Sequence, residues 1–202
     1  VNERFVLATA NPDKAAEIVG ILGSVLGDGV ELLGRPTDVP DVEETGSTLE
    51  ENARLKAQAL AEATGLPAVG DDTGLEVDAL DGAPGVYSSR FAGPGASYAD
   101  NVAHLLEALE GVGAEARTAR FVTVAAAVWP DGREILVRGA VEGTITTSPR
   151  GDGGFGYDPV FAVRELGGAT FAEVGAEQKH AVSHRGRAFR ALAEALVVEA
   201  GR

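Results

Sequence analysis

Three observations in the sequence predict an α/β fold. The opening residues read as strand, polar turn and helix. A second stretch carries a helix-capping box and a helix stop, and two long β-rich runs meet at Pro130-Asp131-Gly132, a strong hairpin signal. A chain of 202 residues with 45% hydrophobic content is long enough for one large core, or for one domain drawn out into two lobes around a cleft. No repeat, low-complexity tract or linker divides it, so residues 1–202 are read as a single domain.

Arg4 to Ala8 is a short apolar strand. Thr9-Ala10-Asn11-Pro12 follows, and then an amphipathic run from Asp13 to about Leu26, with Asn11 suited to the N-cap and Pro12 to the first helical position. Val30 to Leu33 is a second strand, and Gly34 to Gly46 is a loop rich in Pro, Asp and Glu. Ser47-Thr48-Leu49-Glu50 reads as the capping box of a helix reaching Thr64, which Gly65 ends. Ala68 to Gly70 reads as a short strand that stops at a turn, Asp71-Asp72-Thr73-Gly74, before Leu75 to Val77 resumes the alternation. Asp81 to Gly95 is loop, and Ser97 opens a helix through Glu110. Arg117 to Trp129 and Arg133 to Thr146 are the hairpin, expected as central antiparallel strands. Ser148 to Pro159 is a Gly-rich loop, and Ser183 caps a last helix to about Glu199.

The formal net charge of −14 argues against broad binding to nucleic acid, whose phosphates need many Lys and Arg. A small anion stays possible if a local basic pocket and a divalent cation offset the overall field. Cys is absent, which removes disulfides, a thiolate nucleophile and Cys-based zinc. No apolar run approaches the roughly 20 residues that span a bilayer, and Val1-Asn2-Glu3-Arg4 lacks the basic and apolar regions of a secretory signal. The expectation is a soluble, cytoplasmic protein with no membrane partner.

Only three of the 17 basic residues are lysines, Lys14, Lys56 and Lys179, and each sits inside a dense polar motif. A chain that otherwise uses Arg keeps the compact ammonium where one phosphate oxygen has to be met, so three of them suggest a triphosphate site. Thr9 to Lys14 places a polar turn at a helix N-terminus, where backbone N–H groups and the dipole favour an anion. Lys14 in that first turn opposes the dipole unless an anion compensates it; the plain alternative is a solvated Lys beside Asp13. Asp71 and Asp72 alternate on a strand end, so one should lead the chemistry and the other support it. One acid of that pair and one of Glu43 and Glu44 could hold Mg²⁺, although the two glutamates could equally serve only the helix dipole.

Gly151-Asp152-Gly153-Gly154-Phe155-Gly156 matches G-x-G-x-x-G, but Tyr157-Asp158-Pro159 and a strand follow where a dinucleotide site needs a helix. A better use of the loop exposes Phe155 and Tyr157 for stacking on a base, with Asp158 accepting from a base N–H; the alternative folds the aromatics into the core. Lys179, His184 and Arg185 gather around the start of the last helix, where His184 and Arg185 could donate to base carbonyls or to phosphate. Such donors reject a base that presents an amino group there. His104 and His180 form no defensible metal pattern.

The chain resembles the Ham1/RdgB-like family of inosine and xanthosine triphosphate pyrophosphatases. The resemblance runs through Thr9-Ala10-Asn11-Pro12-Asp13-Lys14, Glu43-Glu44-Thr45-Gly46, Glu51-Asn52-Ala53 with Leu55-Lys56-Ala57, and Asp71-Asp72-Thr73-Gly74-Leu75. It continues through residues 82–90, Gly154-Phe155-Gly156-Tyr157-Asp158-Pro159 and Ser183-His184-Arg185-Gly186. It implies an elongated two-lobed fold with a long mixed β-sheet flanked by helices, a central nucleotide cleft and a homodimer. It also implies Mg²⁺-dependent hydrolysis of ITP, dITP, XTP or dXTP to the monophosphate and pyrophosphate, which cleanses the nucleotide pool. By resemblance Asp72 is the catalytic acid and a metal ligand, Glu44 is a metal ligand, and Thr73 touches substrate. Lys14 and Lys56 then meet phosphate, the turn from Thr9 gives backbone donors, residues Phe155, Gly156, Tyr157 and Asp158 bind the base, and Lys179, His184 and Arg185 close on the nucleotide. Two alternatives remain at this point: a Maf-like pyrophosphatase for modified or pyrimidine nucleotides, and a nucleotide-binding protein without catalysis.

Overall fold

The computed structural model describes residues 3–200. Val1 and Asn2, part of the stretch read for a signal segment, lie outside the described residues. Strand β1 (Glu3–Leu7) pairs in parallel with β2 (Val30–Leu33), Glu3 opposite Val30 and Val6 opposite Leu33. A parallel pair needs a crossover, and α1 (Pro12–Leu26) supplies it. Asn11 caps α1 and Pro12 is its first residue, as their chemistry dictates.

Helix α2 (Leu49–Thr64) ends at Gly65, whose N–H reaches Ala61 O at 2.9 Å. Its N-terminus corrects the expected capping box by one residue. Thr48 is the N-cap, with Oγ1 accepting from Glu51 N at 3.1 Å, while the Glu51 carboxylate takes the N–H and hydroxyl of Ser47. Two boxes of the same spacing overlap here, Ser47 with Glu50 and Thr48 with Glu51, and spacing alone does not choose between them.

The larger correction concerns the two adjacent aspartates. Strand β3 runs unbroken from Ala68 to Val77, so Asp71-Asp72-Thr73-Gly74 is strand, not turn. It pairs in parallel with β1 through Val6 and Leu7, and antiparallel with β4 (Pro84–Gly85). Local propensity for Asp and Gly is low in strands, but pairing on the sheet and buried charge partners override it.

Ser97 caps α3 (Tyr98–Ala108) in a reciprocal box with Asp100. Strands β5 (Thr118–Val128) and β6 (Glu134–Ile145) form the expected hairpin, its turn closed by Gly132 N to Trp129 O at 3.0 Å. β6 pairs antiparallel with β7 (Phe161–Val163). Among the described residues the sheet is mixed and seven-stranded, in the order β2-β1-β3-β5-β6-β7 with β4 beside β3. Ser183, expected as the cap of the last helix, is the residue that closes a seven-residue helix the sequence patterns leave unmarked, α4 (Ala176–Val182). α5 (His184–Ala200) follows it directly. No helix of the described residues is long and apolar enough to cross a membrane.

The chain divides into two compact units, the first comprising Val1–Asp72, Thr123–Gly139 and Arg185–Arg202, the second Thr73–Val122 and Ala140–His184. Unit 1 has its own core of Phe5, Leu7, Ile18, Leu22, Val69, Trp129, Phe189 and Leu192, with Phe5 edge-on to Trp129 at 5.7 Å. Unit 2 has another, built from Leu75, Leu105, Leu109, Phe121, Tyr157, Phe161 and Phe171. Each core is continuous enough that a large-to-small change would cost about 2 to 5 kcal/mol.

Candidate active site

In unit 1 the chemistry gathers where three elements meet: the N-terminus of α1, one face of α2 and the middle of β3. α2 and β3 come together because Gly70 has no side chain. A Cβ there would lie 2.7 Å from Ala53 O and 2.9 Å from Ala57 N. Asp71 and Asp72 follow at once, and Asn52 and Lys56, one turn apart on α2, share the face that meets them.

The turn before α1 is held by its own side chains. Thr9 Oγ1 accepts from Asn11 N at 3.1 Å, and Asn11 Oδ1 accepts from Asp13 N at 2.9 Å and Lys14 N at 3.2 Å. This narrows the expectation that the turn from Thr9 offers backbone donors to an anion, since those three donors are engaged. Ala10 and Pro12 carry the chain through the turn, and Asp13 is exposed. The cation in the first turn is compensated from β3: Lys14 Nζ lies 3.2 Å from Asp71 Oδ2.

Asp71 is almost completely buried. Burial by itself would raise its pKa, but the charges of Lys14, Arg185 and Lys56 push it down to about 2. Arg185, at the start of α5, also pairs with Glu17 on α1. Asp71 is therefore a fixed anion that organises cations.

Asp72 has different partners. Lys56 Nζ bridges Glu44 Oε1 at 2.7 Å and Asp72 Oδ1 at 3.0 Å, while Asn52 Nδ2 donates to Asp72 Oδ2 at 3.2 Å. Burial raises the Asp72 pKa and Glu44 adds to the rise, against the lowering pull of Lys56 and Lys14. For Lys56, burial pushes downward, and the carboxylates of Asp72, Asp71 and Glu44 together hold its pKa above the ordinary lysine value. The alternation of strand side chains thus sends the two aspartates to different lysines, as their adjacency dictates. Glu43 is exposed, whereas Glu44 is half-buried in the cluster.

The described residues contain no group of three or more His, Asp or Glu arranged to hold a metal. Two carboxylates do converge on one cationic atom, Lys56 Nζ, and an ammonium flanked by two oxygens marks a place that suits a hard cation. Mg²⁺ asks for no more than a couple of protein carboxylates when water and substrate phosphates complete its shell. Glu44 and Asp72 fit that demand.

In unit 2 a second constellation forms on the loop after β6. Asp158 Oδ2 accepts from Phe155 N at 2.9 Å and from Lys179 Nζ at 2.7 Å. Lys179 Nζ also stands 4.6 Å from the centroid of the Phe155 ring and 5.9 Å from that of Phe171. Gly154, at φ +70°, allows this closure, because a Cβ there would sit 2.1 Å from Asp158 Oδ2. Gly156 continues the same turn with φ 62°. Phe155 is partly exposed and rests near Tyr98, ring centroids 5.9 Å apart.

Two sequence expectations change here. Tyr157 is not displayed for stacking: its ring belongs to the unit 2 core and its hydroxyl donates to Ser88 O at 2.9 Å. Burial pushes that hydroxyl's pKa well above the ordinary tyrosine value. Its task is to anchor the loop that carries Phe155 and Asp158. His184, expected as a donor to the nucleotide, is buried and stacked on Phe121, centroids 4.5 Å apart with planes 16° apart. The expected gathering of Lys179, His184 and Arg185 also separates by partner: Lys179 goes to Asp158 in unit 2 and Arg185 to Glu17 in unit 1. Thr73 follows Asp72 on β3 and is partly exposed.

The sequence patterns pass over three residues. Asn52 is fully buried, and a polar residue of poor helix propensity near the start of a helix was the available signal. Glu17 is the carboxylate partner of Arg185. Arg35 donates to Ala8 O at 3.1 Å, Val39 O at 3.1 Å and Pro40 O at 2.6 Å, tying the end of β1 to the loop that delivers Glu44. Nothing local in the sequence marks that tie.

The family model of the Ham1 family matches residues 5–195. The chain is 50% identical over 194 residues to the dITP/XTP pyrophosphatase of Symbiobacterium thermophilum, covering 96% of this chain and 95% of that protein. It is 51% identical over 193 residues to the dITP/XTP pyrophosphatase of Geobacter sulfurreducens, covering 96% of each. The solved HAM1 protein from Coxiella burnetii superposes with a TM-score of 0.85 at 42% identity, covering 96% of this chain and 98% of that one.

Proposed function

This chain belongs to the Ham1 family, and from that premise we propose that it hydrolyses deaminated purine nucleoside triphosphates, dITP or ITP and XTP or dXTP, to the monophosphate and pyrophosphate with Mg²⁺. The observation that carries the proposal is Lys56 held between Glu44 and Asp72, with the Lys14 and Asp71 pair beside it. Polyphosphate and a divalent cation are the complementary pair that such a set of ammoniums and carboxylates accepts.

Glu44 and Asp72 would hold Mg²⁺, which when bound supplies charge neutralisation at the phosphates and a more acidic water. Lys14 and Lys56 would exchange their carboxylate partners for phosphate oxygens, neutralising the pyrophosphate as it leaves. Asp72 would orient the water that attacks the α-phosphorus, and Asp71, fixed by its cations, would keep Lys14 aimed. Thr73 would add a hydroxyl contact to the substrate.

Phe155 offers its ring to the base, and Asp158 with Lys179 offers an acceptor and a donor close to it. His184, in the same unit, would add a donor toward the oxidised edge of a deaminated purine. A base carrying an amino group there would leave a donor unpaired, and that is the source of the expected preference. The same reading makes the working unit a cytoplasmic homodimer, which light scattering on the purified protein and fractionation of source cells check.

The deciding experiment is pyrophosphate release with Mg²⁺ across dITP, XTP, dGTP, dATP and a pyrimidine triphosphate. Release from dITP and XTP at least about 100-fold faster than from dATP is expected if an unpaired donor sets the preference. Preference for a pyrimidine would favour the Maf-like class. Binding of dITP with no pyrophosphate released would mean a binding protein.

A further inference from the structure

We propose that Asn52 is a positioning residue that sets the separation of Glu44 and Asp72, the two carboxylates that would hold the divalent cation; this rests on the function proposed above. The side chain is fully buried and uses both ends of its carboxamide. Oδ1 accepts from Gly46 N at 2.8 Å, two residues beyond Glu44, and Nδ2 donates to Asp72 Oδ2 at 3.2 Å. A backbone N–H can only donate and an ionised carboxylate can only accept, so its neighbours dictate the orientation of the amide. Leu would serve neither partner and Asp only the first.

The loop side of this tie is as constrained as the strand side. A Cβ on Gly46 would lie 2.6 Å from Asn52 Oδ1 and 2.7 Å from Glu51 Cβ, so the backbone reaches Asn52 this closely only as glycine. Lys56, one turn further along α2, also links Glu44 to Asp72. That link is lost once the ammonium turns to a phosphate. Two carboxylates sharing a site repel each other, and Asn52 is the connection that persists through the exchange.

Unit 2 contains a control of the same chemistry. Asn101, buried on α3, donates Nδ2 to Ser89 O at 3.1 Å and accepts from Ala92 N through Oδ1 at 2.8 Å. It staples a loop and touches no carboxylate in these contacts. Asn52→Leu, Gly46→Ala and Asn101→Leu therefore separate positioning from general stability.

Mn²⁺ affinity of the protein with inorganic pyrophosphate present, whose oxygens would draw Lys56 away from Glu44 and Asp72, read by electron paramagnetic resonance, and dITP kinetics across Mg²⁺ concentrations test the proposal. In Asn52→Leu, Mn²⁺ binding is expected to weaken roughly 10- to 100-fold, the usual effect of losing a residue that holds a metal ligand. The kcat at saturating Mg²⁺ should fall by a similar factor while the KM for dITP moves less than about threefold. Gly46→Ala should show the same direction from the loop side, and it carries the test if Asn52→Leu does not fold. Asn101→Leu should lower the melting temperature and leave Mn²⁺ affinity unchanged. A folded Asn52→Leu or Gly46→Ala protein with Mn²⁺ affinity within about twofold of wild type would overturn the proposal, as would equal weakening in Asn101→Leu. Wild-type protein that binds Mn²⁺ but leaves dITP intact would sink the proposed reaction and not the positioning role; wild-type protein that binds no Mn²⁺ would sink the positioning role.

Discussion

Lys56 in unit 1 and Lys179 in unit 2 are both nearly buried lysines held by an aspartate, and their surroundings set them apart. Lys56 touches two carboxylates, with the Lys14 and Asp71 pair beside it. With Arg185 and its partner Glu17 included, three cations there face four carboxylates, an excess of negative charge that admits a divalent cation together with phosphate. Lys179 has one carboxylate in these contacts, Asp158, and two aromatic faces, Phe155 and Phe171. Its charge is balanced in an apolar setting, which suits a planar, largely neutral heterocycle. The same residue type meets opposite surroundings because one unit places acids around it and the other places rings.

The largest effect should come from breaking the acidic side. Asp72→Asn keeps the shape and removes the charge, and pyrophosphate release from dITP should drop roughly 10²- to 10⁴-fold in a protein that still folds. Near-normal turnover would remove Asp72 from the reaction. Lys14→Ala comes next, with kcat/KM falling about 10- to 100-fold, because a charge-assisted hydrogen bond is worth roughly 1.5 to 3 kcal/mol. That loss should be equal across bases, which separates a phosphate contact from a base contact. It should also lower stability, since buried Asp71 loses a cation.

Breaking the aromatic side should have the complementary signature. Phe155→Ala is expected to raise the KM for each purine triphosphate about tenfold, in line with roughly 1 to 3 kcal/mol per stacked base, with kcat little changed. A fall in kcat with KM unchanged would place Phe155 with the reacting phosphates instead. The smallest effects belong to the helix caps. Thr48→Ala in unit 1 and Ser97→Ala in unit 2 should each cost about 1 kcal/mol, seen as a lower urea midpoint, with base preference untouched.

The sequence by itself determined the features whose causes are local. Asn11 and Pro12 start α1, Gly65 ends α2, Ser97 starts α3, and Pro130-Asp131-Gly132 turns the hairpin, because caps and turns are settled by residues a few positions apart. The scarcity of lysine also pointed to the three ammoniums that lie in the two constellations. Tertiary structure alone decided their partners, Lys14 with Asp71, Lys56 with Asp72 and Lys179 with Asp158, since each pair joins distant elements. It made Asp71-Asp72-Thr73-Gly74 a strand, buried Tyr157 against Ser88, and set Asn52 between Gly46 and Asp72. The physical reason is that a buried charge or amide is stable only where a partner reaches it, and that is a property of how elements pack, not of neighbours along the chain.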